Sequence, residues 1–120
     1  MYELKTNNNT IPLQWGTWAM KRFCELENKT LVDLINILST GSFELSTIIN
    51  IVRASAESGH KTNKLPIEFG EFEVCEWIDE VGGLSAKDGQ LIDFIKFMQI
   101  SMVPETKENA EVTKDKGKKK

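Results

Sequence analysis

The sequence predicts a mainly α fold: a small bundle of about five helices with an N-terminal β-hairpin and a disordered C-terminal tail. Three observations predict it. Two short polar–apolar alternations near the start have the period of paired strands. Five later segments repeat apolar residues at helical spacing between Gly, Pro and Asn breaks. After Pro104 the large apolar residues all but disappear while lysines accumulate.

The alternations are Tyr2–Lys5 and Thr10–Gln14, joined by Thr6-Asn7-Asn8-Asn9, whose asparagines tolerate a tight reversal. Pro12 lacks an N–H, which makes the second strand an edge or limits it to pairing on one side. An isolated two-stranded hairpin is marginal in water, so its Leu4, Ile11 and Leu13 face must pack on the helices.

The first helix is expected over Thr17–Glu27, with Trp15, Trp18, Ala19, Phe23 and Leu26 on one side. Thr30 with Asp33 has the spacing of a capping box for a second helix, Leu31–Leu38, ended by Gly41. A third helix runs from Ser42 or Glu44 to Ser58, with an inward stripe of Leu45, Ile48, Ile49, Val52 and Ala56 and with Gly59 as its C′ residue. After a polar loop, His60–Pro66, the fourth helix spans Phe69–Val81 with Phe72, Cys75, Ile78 and Val81 inward, and Gly82-Gly83 stops it. The fifth starts at Ser85 and reaches Met102, although Gly89 weakens its first turn by up to about 1 kcal/mol. Residues 1–103 thus form one domain, with the hairpin in 1–15, and residues 104–120 form a lysine-rich tail.

On the fifth helix, Leu91, Ile95, Met98 and Met102 share a narrow arc that Ile92 extends, whereas Phe97 and Ile100 point roughly 130° and 170° away. Two faces therefore require burial. Either this is the central helix of the bundle or its second face contacts another chain. The candidate partner-binding residues are Phe94, Phe97, Ile100 and Val103.

Charge and chemistry narrow the function. The tail from Pro104 carries six lysines and four acids, +2, so the net charge of −3 leaves −5 on residues 1–103. Such a body repels phosphate backbones, making nucleic acid an unfavoured partner. Trp15, Trp18 and Trp77 are expected in the core rather than as a stacking platform, which needs a basic groove. Cys24 and Cys75 read as small buried hydrophobes without a disulfide, and His60 as a solvated loop residue. Phosphate-loop, dinucleotide-binding, zincin, nucleophile-elbow and paired C-x-x-C patterns are absent. No catalytic, cofactor-binding or metal-binding residues are expected, and the chain is not expected to be an enzyme. With no secretion signal and no apolar run near 20 residues, the expected location is the cytoplasm.

The order hairpin, then Trp15-Gly16-Thr17-Trp18-Ala19-Met20-Lys21-Arg22-Phe23-Cys24-Glu25-Leu26, then Asn28-Lys29-Thr30-Leu31 resembles the tail assembly chaperones of long-tailed bacteriophages and prophages. Those proteins carry an F-G-x-x-A-L-x-x-F-E-x-x-T-G-K-[ST]-L type run after a short strand pair. Here tryptophan stands for the phenylalanine at 15 and asparagine for the glycine at 28, and the likeness covers about the first forty residues. The resemblance implies a non-catalytic chaperone in the host bacterial cytoplasm that binds the tape measure protein and promotes polymerisation of tail tube protein, with self-association a further possibility and no membrane role. In that family a programmed frameshift near the end of the short product often yields a longer form. An adenine-rich codon run can encode Gly117-Lys118-Lys119-Lys120, although a solubilising lysine end has the same sequence. The alternative class is a small helical nucleic-acid-associated regulator or a dimeric adaptor.

Overall fold

A computed structural model describes residues 1–83 and 89–102, without the side chains of 100–102. In chain order the elements are β1 (Tyr2–Lys5), β2 (Thr10–Leu13), α1 (Thr17–Glu27), α2 (Leu31–Thr40), α3 (Leu45–Thr62), α4 (Glu71–Glu80) and α5 (Gln90–Met102). The two strands pair antiparallel, with Leu4 opposite Ile11 and Glu3 opposite Pro12. The expected helical fold with an N-terminal hairpin is what the chain adopts. The expected start of the fifth helix at Ser85 and the expected tail over 104–120 lie outside the described residues.

Local chemistry explains most boundaries. At α2 the Thr30 hydroxyl accepts from the Asp33 N–H, and the Asp33 carboxylate accepts from the Thr30 N–H, a reciprocal capping box. These bonds hold the Asp33 carboxyl below its ordinary value. Gly41 closes the helix at φ 71°, a left-handed position where glycine has no Cβ penalty. Asn28 closes α1 at φ 55°. Asparagine is the residue type that best replaces glycine in this conformation. Gly16, by contrast, is extended and its Cβ position is open, so no steric demand for glycine exists there.

The centre of the bundle is α3, not α5. Its buried residues include Ile49, Val52 and Ala56 on one side and Ile51, Ser55 and Ser58 on the other. At 100° per residue Ile51 lies about 160° from Ile49, so the helix is enclosed from both directions. On it pack α1, α4 and the hairpin. Leu4, Ile11 and Leu13 are all buried, as their alternation requires. The free edge of β2 turns toward α3, where the Gln14 N–H donates to the Ser55 carbonyl at 2.9 Å. Pro12 sits on that side without an N–H to satisfy, and Gly59 makes its approach possible: a Cβ on Gly59 would lie 2.1 Å from the Pro12 carbonyl oxygen.

That use of Gly59 corrects its expected role as the C′ residue. The helix runs past it to Thr62, and Lys64, at φ 59°, takes the left-handed position while the Leu65 N–H returns to the His60 carbonyl at 2.8 Å. His60 is therefore helical rather than part of a polar loop. Its Nδ1 lies 2.7 Å from the Ala56 carbonyl oxygen and its ring is 4.9 Å from that of Phe69. Two expected core residues also move to the surface, Leu45 at 58% and Phe72 at 70% exposure. On α4 the buried pair is Val74 and Ile78. Phe72 lies about 160° from Val74 around that helix, so both cannot face inward.

Polar contacts fix how the other elements cross. Arg22 Nε donates to Glu57 at 2.7 Å and Arg53 Nε to the other Glu57 oxygen at 3.3 Å, tying α1 to a carboxylate on α3 that is only 8% exposed. Glu27 accepts from Thr47 and Asn50 further along the same interface. The Gln90 amide pairs with both the N–H and the C=O of Lys5, at 2.6 and 2.7 Å, and so occupies the edge of β1 as a neighbouring strand would. The Asn7 N–H donates to Glu80, joining the hairpin loop to the end of α4.

Replacing Thr30 by Ala is expected to cost about 1 kcal/mol by chemical denaturation. Because the Asp33 carboxyl is lowered in the fold, its share of this stability is complete above the ordinary value of 3.8 and is lost as pH falls below it toward the lowered value. The difference between wild type and Thr30→Ala should accordingly narrow on acidification.

Candidate partner-binding surfaces

The fifth helix was the expected contact surface, and the fold divides its candidates. Phe94 is fully buried, with its ring 5.4 Å from that of Tyr2, so it belongs to the core. With Leu91, Ile95 and Met98 it forms one arc, because positions 91, 94, 95 and 98 recur at helical spacing. Phe97 lies on the flank of that arc at 42% exposure, its ring 6.1 Å from Tyr2. The helix packs on α2 and β1, and Gln99 Nε2 donates to the Leu38 carbonyl near the end of α2. The side chains of Ile100 and Met102, and all of Val103, lie outside the described residues.

A larger apolar exposure occurs on α2. Leu34 and Leu38 face inward, but Leu31, Val32 and Ile35 are 54%, 65% and 42% exposed. Beside them Met20, Cys24 and Leu31 line an almost wholly apolar depression of about 240 Å³ against α1. The sequence carried a signal for this surface. In Leu31-Val32-Asp33-Leu34-Ile35-Asn36-Ile37-Leu38, six of eight positions are large aliphatics, more than one buried stripe can take up. Burial, with Asp33 as the secondary cause, pushes the Cys24 thiol up, which keeps it protonated and unreactive at neutral pH.

Between α3 and α4 a second depression, about 310 Å³ and again mainly apolar, is lined by Leu45, Ile49, Cys75, Ile78 and Asp79. A third, about 300 Å³ and more polar, runs from the hairpin across His60 to Phe69, Glu73 and Trp77. The Phe69 and Trp77 rings meet at 4.9 Å. Trp15 packs edge-on against Phe23 at 6.4 Å, and Lys61 Nζ stands 5.4 Å over the Trp18 ring. In the run from Trp15 to Leu26, Trp15, Ala19 and Phe23 are thus packing residues, all buried.

Among the described residues no group of three or more His, Cys, Asp or Glu could hold a metal ion. No single helix among them is long and apolar enough to cross a membrane. Residues 65–83 carry six acidic and no basic side chains, which makes the α4 side strongly anionic. The class defined by these features is a mainly helical domain, folded around α3, that presents apolar side chains outward on α2 and α4. Comparison with protein-family models, with curated proteins and with solved structures finds no match for the chain.

Phe94→Ala should lower stability by about 3–5 kcal/mol in urea denaturation, the usual cost of emptying a buried phenylalanine site. Phe97→Ala should cost about 1 kcal/mol or less, since much of its ring already faces water. Equal losses would show that both rings are core.

Proposed function

We propose that this chain is a phage tail assembly chaperone, a non-catalytic protein of the host bacterial cytoplasm that binds the tape measure protein and promotes polymerisation of the tail tube around it. The observation that carries this reading is the exposed aliphatic face of α2, Leu31, Val32 and Ile35, next to the apolar depression at Met20 and Cys24. A chaperone for a long helical protein needs apolar surface that can be covered and uncovered, and a helix face offering side chains at i, i+1 and i+4 suits the groove-and-ridge packing of helices. Repeated weak contacts along one long partner then add by multivalency, and self-association would strengthen them further. The hairpin-to-helix motif around Trp15 supports the same reading by its resemblance to the family: its Trp15, Ala19 and Phe23 build the core, and its Met20, Cys24 and Leu31 line the depression.

Co-expression is expected to convert an insoluble tape measure protein into a soluble complex. Val32→Asp combined with Ile35→Asp should abolish that effect while leaving the helical circular dichroism unchanged, because both side chains already face solvent. A tape measure protein that stays insoluble with the wild-type chain would contradict the proposal. Retardation of duplex DNA at physiological salt would instead favour the nucleic-acid regulator.

A further inference from the structure

We propose that the groove between α3 and α4 is a docking site for an amphipathic helix of a partner protein that carries basic residues beside its apolar stripe. The floor of the groove is Leu45, Ile49, Cys75 and Ile78. On α4, Phe72, Cys75, Glu76 and Asp79 fall within about 100° of arc, so the aromatic ring, the groove wall and two carboxylates share one face. Phe72 is 70% and Leu45 58% exposed, the most open aromatic and one of the most open aliphatics among the described residues.

Charge selects the occupant. Glu71, Glu76 and Asp79 are exposed around this face, and between Lys64 and the end of α4 the chain has no basic side chain to neutralise them. An apolar helix face flanked by Lys or Arg satisfies both the groove and its rim, whereas an acidic helix meets like charge. The chain's own lysine-rich end does not fit, since Val112 is its only large apolar residue after Pro104. A second copy does not fit either, because residues 1–103 bring a net charge of −5 against an anionic face. At ten residues, α4 is about 15 Å long, enough to seat roughly three turns of a partner helix through side chains at i, i+3 or i+4 and i+7. The inference stands apart from the chaperone proposal: the groove has the same chemistry whichever protein supplies the helix, and it shares no lining residue with the α2 surface.

The test uses the full chain with two synthetic helical peptides of about four turns, one of leucine and lysine and one of leucine and glutamate, at about 0.1 M salt. The lysine peptide should bind and shift the amide resonances of α4 and the first turns of α3. Phe72→Ser should weaken it at least tenfold, Glu76→Lys with Asp79→Lys should transfer the preference to the glutamate peptide, and Val32→Ser should leave binding unchanged. All these side chains are exposed, and unchanged circular dichroism verifies the fold. Absence of binding, equal affinity after Phe72→Ser, or shifts confined to α2 would overturn the proposal.

Discussion

The close approach of β2 to α3 is the contact on which the rest of this structure depends. A two-stranded hairpin has too few backbone bonds and too little apolar area to persist alone. Here it delivers Leu4, Ile11 and Leu13 into the core, and complete burial of such side chains is worth about 1.5–3 kcal/mol each. That burial requires the strand to lie almost on the backbone of α3. Ser55, Ser58 and Gly59 present little bulk on that side, Gly59 meets Pro12, and Gln14 bonds to the Ser55 carbonyl. A helix that would otherwise have one buried face thereby acquires two and becomes the centre of the bundle.

The remaining elements are arranged around α3 by a combination of apolar packing and a few directional bonds. Glu57 between Arg22 and Arg53 sets how α1 lies on α3. A buried pair of this kind is a weak source of net stability, but a wrong crossing would strand its carboxylate without partners. The Gln90 amide does comparable work for β1, occupying backbone groups that would otherwise form an open strand edge. With α3 enclosed by α1, α4 and the hairpin, α2 and α4 are left at the periphery. Their surplus apolar side chains, Leu31, Val32, Ile35 and Phe72, stay exposed among the described residues. The proposed functions follow from that surplus.

The sequence was most legible where the determinant is local. The capping box at Thr30, the glycine at 41 and the paired glycines at 82 and 83 mark real helix ends, and the hairpin alternation assigns its inward face correctly. It was less legible where one residue type serves two purposes. Glycine is the usual residue just past a helix, yet Gly59 lies within one because a strand must pass there, and nothing in its neighbours announces that strand. The same tertiary choice moved the doubly buried helix from α5 to α3. Phe94 followed as a core residue rather than a contact, and Leu45 and Phe72 turned outward. The α2 surface was readable in principle, since its run of aliphatics exceeds one stripe, but deciding which aliphatics face out requires knowing what α2 packs against.

The most direct measurement of the central claim is the stability of Gly59→Ala. Alanine is the better helix former by up to about 1 kcal/mol, so if α3 were free on this side the variant would be more stable than wild type. With the Pro12 carbonyl 2.1 Å from the new Cβ, the strand must instead be pushed off the helix. A loss of roughly 1–3 kcal/mol in urea denaturation is expected, together with faster amide exchange in β1 and β2. Unchanged or increased stability would contradict it.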